Sequence, residues 1–286
     1  MLMQSLSATC HHHLFSSNVA RMFAADLGSA RELDQFYTRP DVATRLYTVF
    51  ALHCPVAECL LVEPSAGYGA FYRVMPRGSI AVDIAPRCQG VIRYNFLRFE
   101  VQSYRPIAIL GNPPFGRNSS LAVRFFNHAA TQATYIGFIL PRTFLKASIV
   151  NRLDRSFHLV HVEDVEADAF VFEGKPYHVP TVFMIWKREA GLRAVRPEIR
   201  SHADFKFTKR DHADFAIRRI GANAGKVLPA KDASLSSHLF IKGRVKGTMK
   251  KLRKAFAKAA ANTAGCPSLT QPEVVEIYQA FKDAQA

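Results

Sequence analysis

Asn112-Pro113-Pro114-Phe115 is the stretch of this sequence best suited to chemistry on an amine. Two consecutive prolines remove two backbone donors and stiffen the chain. What remains on display is the Asn112 amide oxygen, backbone carbonyls and one aromatic ring. That is an acceptor-rich site beside a surface for stacking. The exocyclic amine of a nucleobase, such as adenine N6, is a poor nucleophile because its lone pair is delocalised into the ring. Two acceptors holding its hydrogens favour the tetrahedral form and free the lone pair. Phe115 can stack on a base turned out of a duplex, which enzymes acting on such bases require. The plainer alternative is a rigid Pro-Pro turn without chemistry.

Glu63-Pro64-Ser65-Ala66-Gly67-Tyr68-Gly69 is the second stretch of this kind. It follows the apolar run Leu60-Leu61-Val62 and turns through small residues. Glycine permits a positive φ and the close approach of a ligand to the backbone. Alone, the stretch reads equally well as a tight turn. Asp83 adds a second observation, because it ends the next apolar run, Ile80-Ala81-Val82. An acid there can accept hydrogen bonds from both ribose hydroxyls of a nucleoside cofactor. Neither a GxGxxG nor a GK[ST] pattern is present, so a nucleoside without a pyrophosphate fits better. A sulfonium methyl donor would also suit the Asn112 loop, since its leaving group is neutral and no strong base is needed.

Elements must position these loops. Thr38-Arg39-Pro40-Asp41 reads as a helix start, with Thr38 as cap and Pro40 in the first turn, followed by Val42, Leu46, Val49 and Phe50 at helical spacing. Strands are expected at residues 60–63, 80–83, 107–110 and 135–140. A short helix through Phe71 and Val74, one from about Ser119, and one carrying Phe144, Leu145, Ile149 and Leu153 alternate with them. Phe157 to Val165, Ala169 to Phe172 and Val179 to Trp186 then read as consecutive strands, with Gly174-Lys175-Pro176 as the turn of a terminal antiparallel hairpin. This alternation predicts a doubly wound α/β sheet. Further on, Phe205 to Phe207 and Phe215 to Ile220 look like strand pieces with arginine facing outward. Thr248 to Ala260 looks like one basic amphipathic helix with Leu252 and Phe256 on its apolar side, and Pro272 to Lys282 like a last helix.

Taken together, these motifs resemble the class I, S-adenosylmethionine-dependent adenine-N6 methyltransferases of the NPPF type. The resemblance spans roughly Leu33 to Arg188. It rests on Gln35-Phe36-Tyr37-Thr38-x-Pro40, the acidic Gly-rich turn, Asp83, the Asn112 to Phe115 motif and Phe138-Ile139-Leu140-Pro141, in the family's order. It implies a Rossmann-like methyltransferase sheet. Tyr37, Thr38, Glu63, Pro64, Ser65, Ala66 and Gly67 would line the methionine and sulfonium end of S-adenosyl-L-methionine. Asp83 would bind ribose and Ile84 would pack on the cofactor's adenine. Asn112, Pro113, Pro114 and Phe115 would handle the target base. Many relatives have Asp-Phe-Leu where this chain has Asn95-Phe96-Leu97. Asn95 can still offer an acceptor and is counted as a cofactor contact.

Charge supplies the polymer. The chain holds 38 Lys and Arg against 23 Asp and Glu, a net of +15. Between Lys187 and Lys258 there are twenty basic residues and six acidic ones, so nearly all the excess lies there. A localised basic segment is the footprint of a polyanion partner. Arg218, Arg219, Lys250, Lys251, Arg253 and Lys254 are the expected nucleic-acid contacts. The expected division is a flexible tail over residues 1–30, a methyltransferase domain over 31–190 and a basic nucleic-acid-binding or target-recognition module over 191–286. DNA is favoured over RNA because of the long Phe138 to Leu153 stretch and that extra module; RNA adenosine-N6 methylation is the main alternative. Methylation of a protein glutamine and a catalytically degenerate nucleic-acid-binding fold are further readings.

The rest of the composition is mostly restrictive. With 49% hydrophobic residues a sizeable core can form, and no apolar run approaches the ~20 residues of a membrane span. Five cysteines without a CxxC pair argue against a disulfide framework and suit a reducing cytoplasm. His53, Cys54 and Cys59 lack a fourth ligand at sensible spacing, so no metal is expected. Residues 1–30 resemble a mitochondrial transit peptide weakly, and His11 to His13 read as a surface run.

Overall fold

The computed structural model describes residues 36–172 and 175–285. The tail over residues 1–30, Gln35 and Gly174 lie outside the described residues. From Phe36 onward the chain is one compact unit.

Strand β1 (Tyr37–Thr38) leads into helix α1 (Pro40–His53). Pro40 sits in the first turn, where its missing N–H has no intrahelical partner to lose. Thr38 is not the cap that the sequence suggests. It lies in β1, Arg39 is the N-cap, and the cap side chain makes no capping hydrogen bond. Next come β2 (Leu60–Glu63), β3 (Ile80–Asp83), β4 (Ile92–Arg93) and β5 (Ile107–Gly111), then α2 (Ser120–Gln132) and β6 (Tyr135–Pro141). A short helix α3 (Ala147–Val150) precedes β7 (Phe157–Asp164), β8 (Phe170–Phe172), β9 (Lys175–Tyr177) and β10 (Thr181–Arg188).

Seven strands form the main sheet in the order β4-β3-β2-β5-β6-β10-β7. The first five are mutually parallel, and β10 is inserted antiparallel between β6 and β7. From β2 the chain moves outward through β3 to β4, then returns to β5 and moves the other way. The order therefore reverses between β2 and β5. In open α/β sheets, ligands bind outside the carboxyl ends of the strands at such a switch point. Strands β5 and β10 are apolar almost throughout, as expected of strands covered on both faces. The Phe50 ring of α1 lies where a side chain at Gly137 would be, so only glycine fits there in β6. Phe126 of α2 meets Trp186, which is paired with Ile136 on the opposite face. The helices thus flank both faces, and the doubly wound architecture holds.

Three local expectations are corrected. Residues around Phe71 and Val74 form successive turns instead of a helix, with mixed short-range bonds to the Phe71 carbonyl and Pro76 ending the run. The helix expected from Phe144 to Leu153 is a 3-10 turn (Arg142–Leu145) followed by α3. Lys146 is extended at the break, and its ammonium donates to Glu273 at 2.9 Å and to the Ser268 carbonyl at 2.7 Å. The segment between β7 and β10 leaves the main sheet. There β8 pairs with β9 and with β1 in a separate three-stranded sheet, and Lys175 and Pro176 lie within β9, not in the turn. Pro176 is tolerated because β9 is an edge strand.

Beyond Arg188 the chain builds a four-stranded sheet in the order β11-β14-β12-β13, from β11 (Lys206–Phe207), β12 (Phe215–Arg218), β13 (Val227–Leu228) and β14 (His238–Lys242). Helices α4 (Lys246–Lys251), α5 (Arg253–Ala260) and α6 (Gln271–Asp283) pack on it. The helix expected over Thr248 to Ala260 is jointed at Leu252. Met249, Leu252, Phe256 and Ala260 face a hydrophobic cluster of this part of the chain, separate from the cluster of the main sheet. Among the described residues no helix is long and apolar enough to cross a membrane.

Candidate active site

The carboxyl ends of β2 and β5 lie side by side, and the two chemically suggestive loops leave from them. The Ser65 hydroxyl donates to the Asn112 carbonyl at 2.9 Å, tying the loops together. Pro64 is buried against Gly111, which makes it a packing residue. Gly67 has φ of 51°, and a side chain there would run into the Tyr37 ring at 2.8 Å. Both its backbone freedom and its lack of a side chain are used. The Gly67 N–H donates to Asp83 Oδ2 at 2.7 Å, and the Ala85 N–H donates to Asp83 Oδ1 at 2.7 Å. A carboxylate has about four acceptor positions. Two are spent on the backbone, leaving capacity for two hydroxyls of a ribose. Asp83 both shapes the turn and keeps a binding edge.

Glu63 is wholly buried at the end of β2, and its Oε2 accepts from the Tyr72 N–H at 2.7 Å. Burial pushes its pKa up to about 8, against the backbone N–H groups of Tyr72 and Phe71 that favour the charged form. Its place under the turn makes it a positioning residue. A raised carboxyl pKa means that the fold holds a proton which the unfolded chain has lost. Stability therefore falls as pH rises from about 4.5, the ordinary value, to about 8, and levels off above. Glu63→Gln keeps an acceptor for Tyr72 but cannot titrate. Denaturant unfolding at several pH values should show the wild type losing stability relative to the variant across that window. Parallel curves would remove Glu63 as the source.

The segment from Phe36 to Thr38 lies across both loops. The Asn112 Nδ2 donates to the Phe36 carbonyl at 2.9 Å, and the Tyr37 ring covers Gly67 and meets Tyr68 edge-on at 4.5 Å. Burial raises the Tyr37 hydroxyl pKa, while the neighbouring Arg87 guanidinium works the other way. Thr38 Oγ1 is buried without a partner among the described residues. A buried hydroxyl with no partner beside a glycine turn suits a polar ligand group that completes it. The resemblance gives this place to the methionine end of the cofactor, and the donor set fits that group.

Asn112 itself is half-buried. Because Nδ2 is committed to a carbonyl, the Oδ1 side is the face left for a ligand. Pro113 is buried and Pro114 is half-buried. The Phe115 ring is only 6% exposed and belongs to the main core, so it is not the open stacking surface expected. Its carbonyl accepts from the Leu121 and Ala122 N–H groups, which pull the loop onto α2. Three other rings gather at Phe36, the residue whose carbonyl holds Asn112. Phe36 stacks on Tyr177 with centroids 4.7 Å apart and planes 6° apart, and Phe172 touches both. Tyr177 is partly exposed.

The remaining expected residues divide by surroundings. Ala66 is buried in the turn, while Ile84 is exposed beside Asp83 and free to pack on a flat ring. Asn95 Oδ1 accepts from the Leu97 N–H at 3.0 Å as the cap of a short 3-10 turn, so its acceptor serves the backbone first. Lys250, Lys251, Arg253 and Lys254 are exposed on one face of α4 and α5, and Arg218 is exposed on β12. Arg219 does not fully face outward: its Nε is buried without a partner among the described residues. Sequence reasoning missed Arg87, Phe172 and Tyr177 altogether. Their partners lie far away in the chain, and no spacing rule connects them.

No family model matches the chain, and no curated protein matches it. Solved structures do. A putative RNA methyltransferase from Pyrococcus horikoshii aligns at a TM-score of 0.42 and 15% identity, over 61% of this chain and 99% of its own. A modification subunit of a putative type I restriction enzyme from Vibrio vulnificus aligns at 0.39 and 16%, over 68% and 52%. A putative class I S-adenosylmethionine-dependent methyltransferase from Listeria monocytogenes aligns at 0.42 and 11%, over 64% and 69%. At such distances this chain's own residues have to carry the chemistry.

Proposed function

We propose that this chain transfers a methyl group from S-adenosyl-L-methionine to the N6 amino group of adenine in DNA. The observation that carries the reading is the fixed Asn112 amide at the switch point. Its Nδ2 is held by the Phe36 carbonyl, which leaves Oδ1 as the acceptor without a partner among the described residues. An acceptor in that place grips one hydrogen of an aromatic amine and draws its lone pair out of the ring. Asp83, with two acceptor positions free, holds the ribose, Ile84 the adenine, and Tyr37 with Thr38 the methionine end. The bound cofactor supplies an electrophilic methyl whose departure leaves a neutral thioether, so Asn112 need not act as a base. Tyr177 and Phe36 offer the stacking that the buried Phe115 ring does not present.

The test is incubation with isotopically labelled cofactor and separate DNA and RNA pools, followed by nucleoside mass spectrometry. Labelled N6-methyldeoxyadenosine supports the proposal. Label on adenosine of RNA alone would move the activity to the other polymer, and no labelled nucleoside would overturn it.

The exposed basic face of α4 and α5 carries the polymer part of the reading. Neutralising Lys250, Lys251, Arg253 and Lys254 together should weaken binding of oligonucleotides and flatten its salt dependence. Each lost phosphate contact removes about 0.7 to 0.9 from the log–log slope. An unchanged slope would mean that this face does not touch phosphates.

A further inference from the structure

The four-stranded sheet beyond Arg188 carries a cleft of its own. In the pairing of β12 with β14, Arg218 stands directly opposite His238. Residues opposed in this way project from the same face. They bound a cleft of about 430 Å³ together with Asn223, Lys226 and Asp232. The turn between β12 and β13 holds these groups in register. The Arg218 N–H donates to the Lys226 carbonyl at 2.8 Å, and the Lys226 N–H donates to the Asn223 carbonyl at 3.1 Å. The Arg218 Nε donates to the Ile220 carbonyl at 3.1 Å, which fixes the guanidinium plane and leaves both Nη groups available. The Lys226 ammonium and the Asn223 amide have no side-chain partner among the described residues.

His238 is the inner wall, with nine-tenths of its surface buried. Its Nδ1 lies 3.2 Å from the Ser234 N–H, 3.0 Å from the Ser237 hydroxyl and 3.1 Å from the Ser234 carbonyl. All three contacts fall on Nδ1, so Nε2 is the ring nitrogen without a partner among the described residues. Three side chains bring donors to the cleft: the Arg218 fork, the Lys226 ammonium and the Asn223 amide. The one carboxylate lining it, Asp232, is exposed and makes no ion pair among the described residues. Donors in such excess call for a compact ligand with several acceptor oxygens.

We propose that this cleft is a phosphate-binding subsite that takes one phosphate of the nucleic-acid strand. The strand as source rests on the function proposed above; the phosphate chemistry stands on the cleft alone. It also places Arg218 in a bounded cleft, apart from the open face of α4 and α5.

Two measurements on the full chain test it. In the first, histidine side-chain ¹⁵N resonances are followed while inorganic phosphate is added. The His238 Nε2 signal should shift saturably, and Arg218→Gln with Lys226→Gln should abolish the shift. In the second, oligonucleotide affinity is measured against salt. The double variant should bind about tenfold more weakly and lose about one contact from the salt slope. Thermal unfolding checks that it is folded, and Asn223→Ala provides a milder second variant. A His238 shift with an unchanged slope would overturn the strand as source. No shift and no slope change would overturn the site. Cofactor calorimetry reads the other proposal separately: a chain that binds phosphate here but no S-adenosylmethionine would sink methyl transfer and leave the cleft standing.

Discussion

Asn112→Ala is expected to lower methyl transfer by at least about a hundredfold while cofactor affinity stays within a few-fold. Removing a fixed polar group that acts on the reacting atom typically costs on the order of 10² to 10³ in turnover. The Asn112 side chain does two things in this structure. Its nitrogen holds the Phe36 carbonyl, and its oxygen is the acceptor left for a ligand. Alanine loses both, so single-turnover rates and cofactor calorimetry have to be read together. A loss confined to turnover supports the acceptor role. A parallel collapse in cofactor affinity would mean that the main task of Asn112 is to anchor the segment over the turn. Asn112→Asp sharpens the contrast, because it keeps an acceptor but places a second oxygen against the Phe36 carbonyl. Near-normal turnover in Asn112→Ala would refute the assignment.

Asp83→Asn should weaken cofactor binding roughly 10- to 100-fold, in line with losing charge-assisted hydrogen bonds. The substitution replaces one acceptor oxygen with an NH₂ group. Both oxygens already accept backbone N–H bonds, from Gly67 and from Ala85. Whichever way the amide turns, a donor then meets a donor. The Gly67 turn relaxes or the Ala85 bond breaks, and in either case an acceptor position for ribose is lost. Calorimetry reads the affinity directly, and an unchanged dissociation constant would exclude Asp83 from the cofactor site.

Much of the fold was legible in the sequence because buried parallel strands are nearly continuous apolar runs. Leu60 to Glu63, Ile80 to Asp83 and Ile107 to Gly111 announce themselves in that way, and each ends in the polar or glycine residue that carries the site. What could not be read depends on contacts made across the chain. Thr38 has the residue type of a helix cap, yet strand pairing with Phe170 holds it one position too early. Phe115 looks like a stacking ring in the sequence, but apolar area prefers the core when the loop is drawn onto α2. The ring stack that replaces it joins Phe36 to Tyr177, and no local pattern brings those two together. The helix breaks at Lys146 and Leu252 are likewise invisible to periodicity, since apolar spacing continues through them.

The small sheet of β1, β8 and β9 makes the two halves of the site mechanically one. Tyr37 and Thr38, the segment over the Gly67 turn, are the same residues that pair with Val171 and Phe170. The next strand of that sheet ends in Tyr177, whose ring stacks on Phe36 beside Asn112. Under the proposed function, seating one ligand bears on the ribbon that receives the other. Thermodynamic linkage makes such a coupling reciprocal. Whatever factor a bound cofactor contributes to gripping a base, a bound base returns to the cofactor, so the order in which they arrive leaves the energy of the ternary complex unchanged.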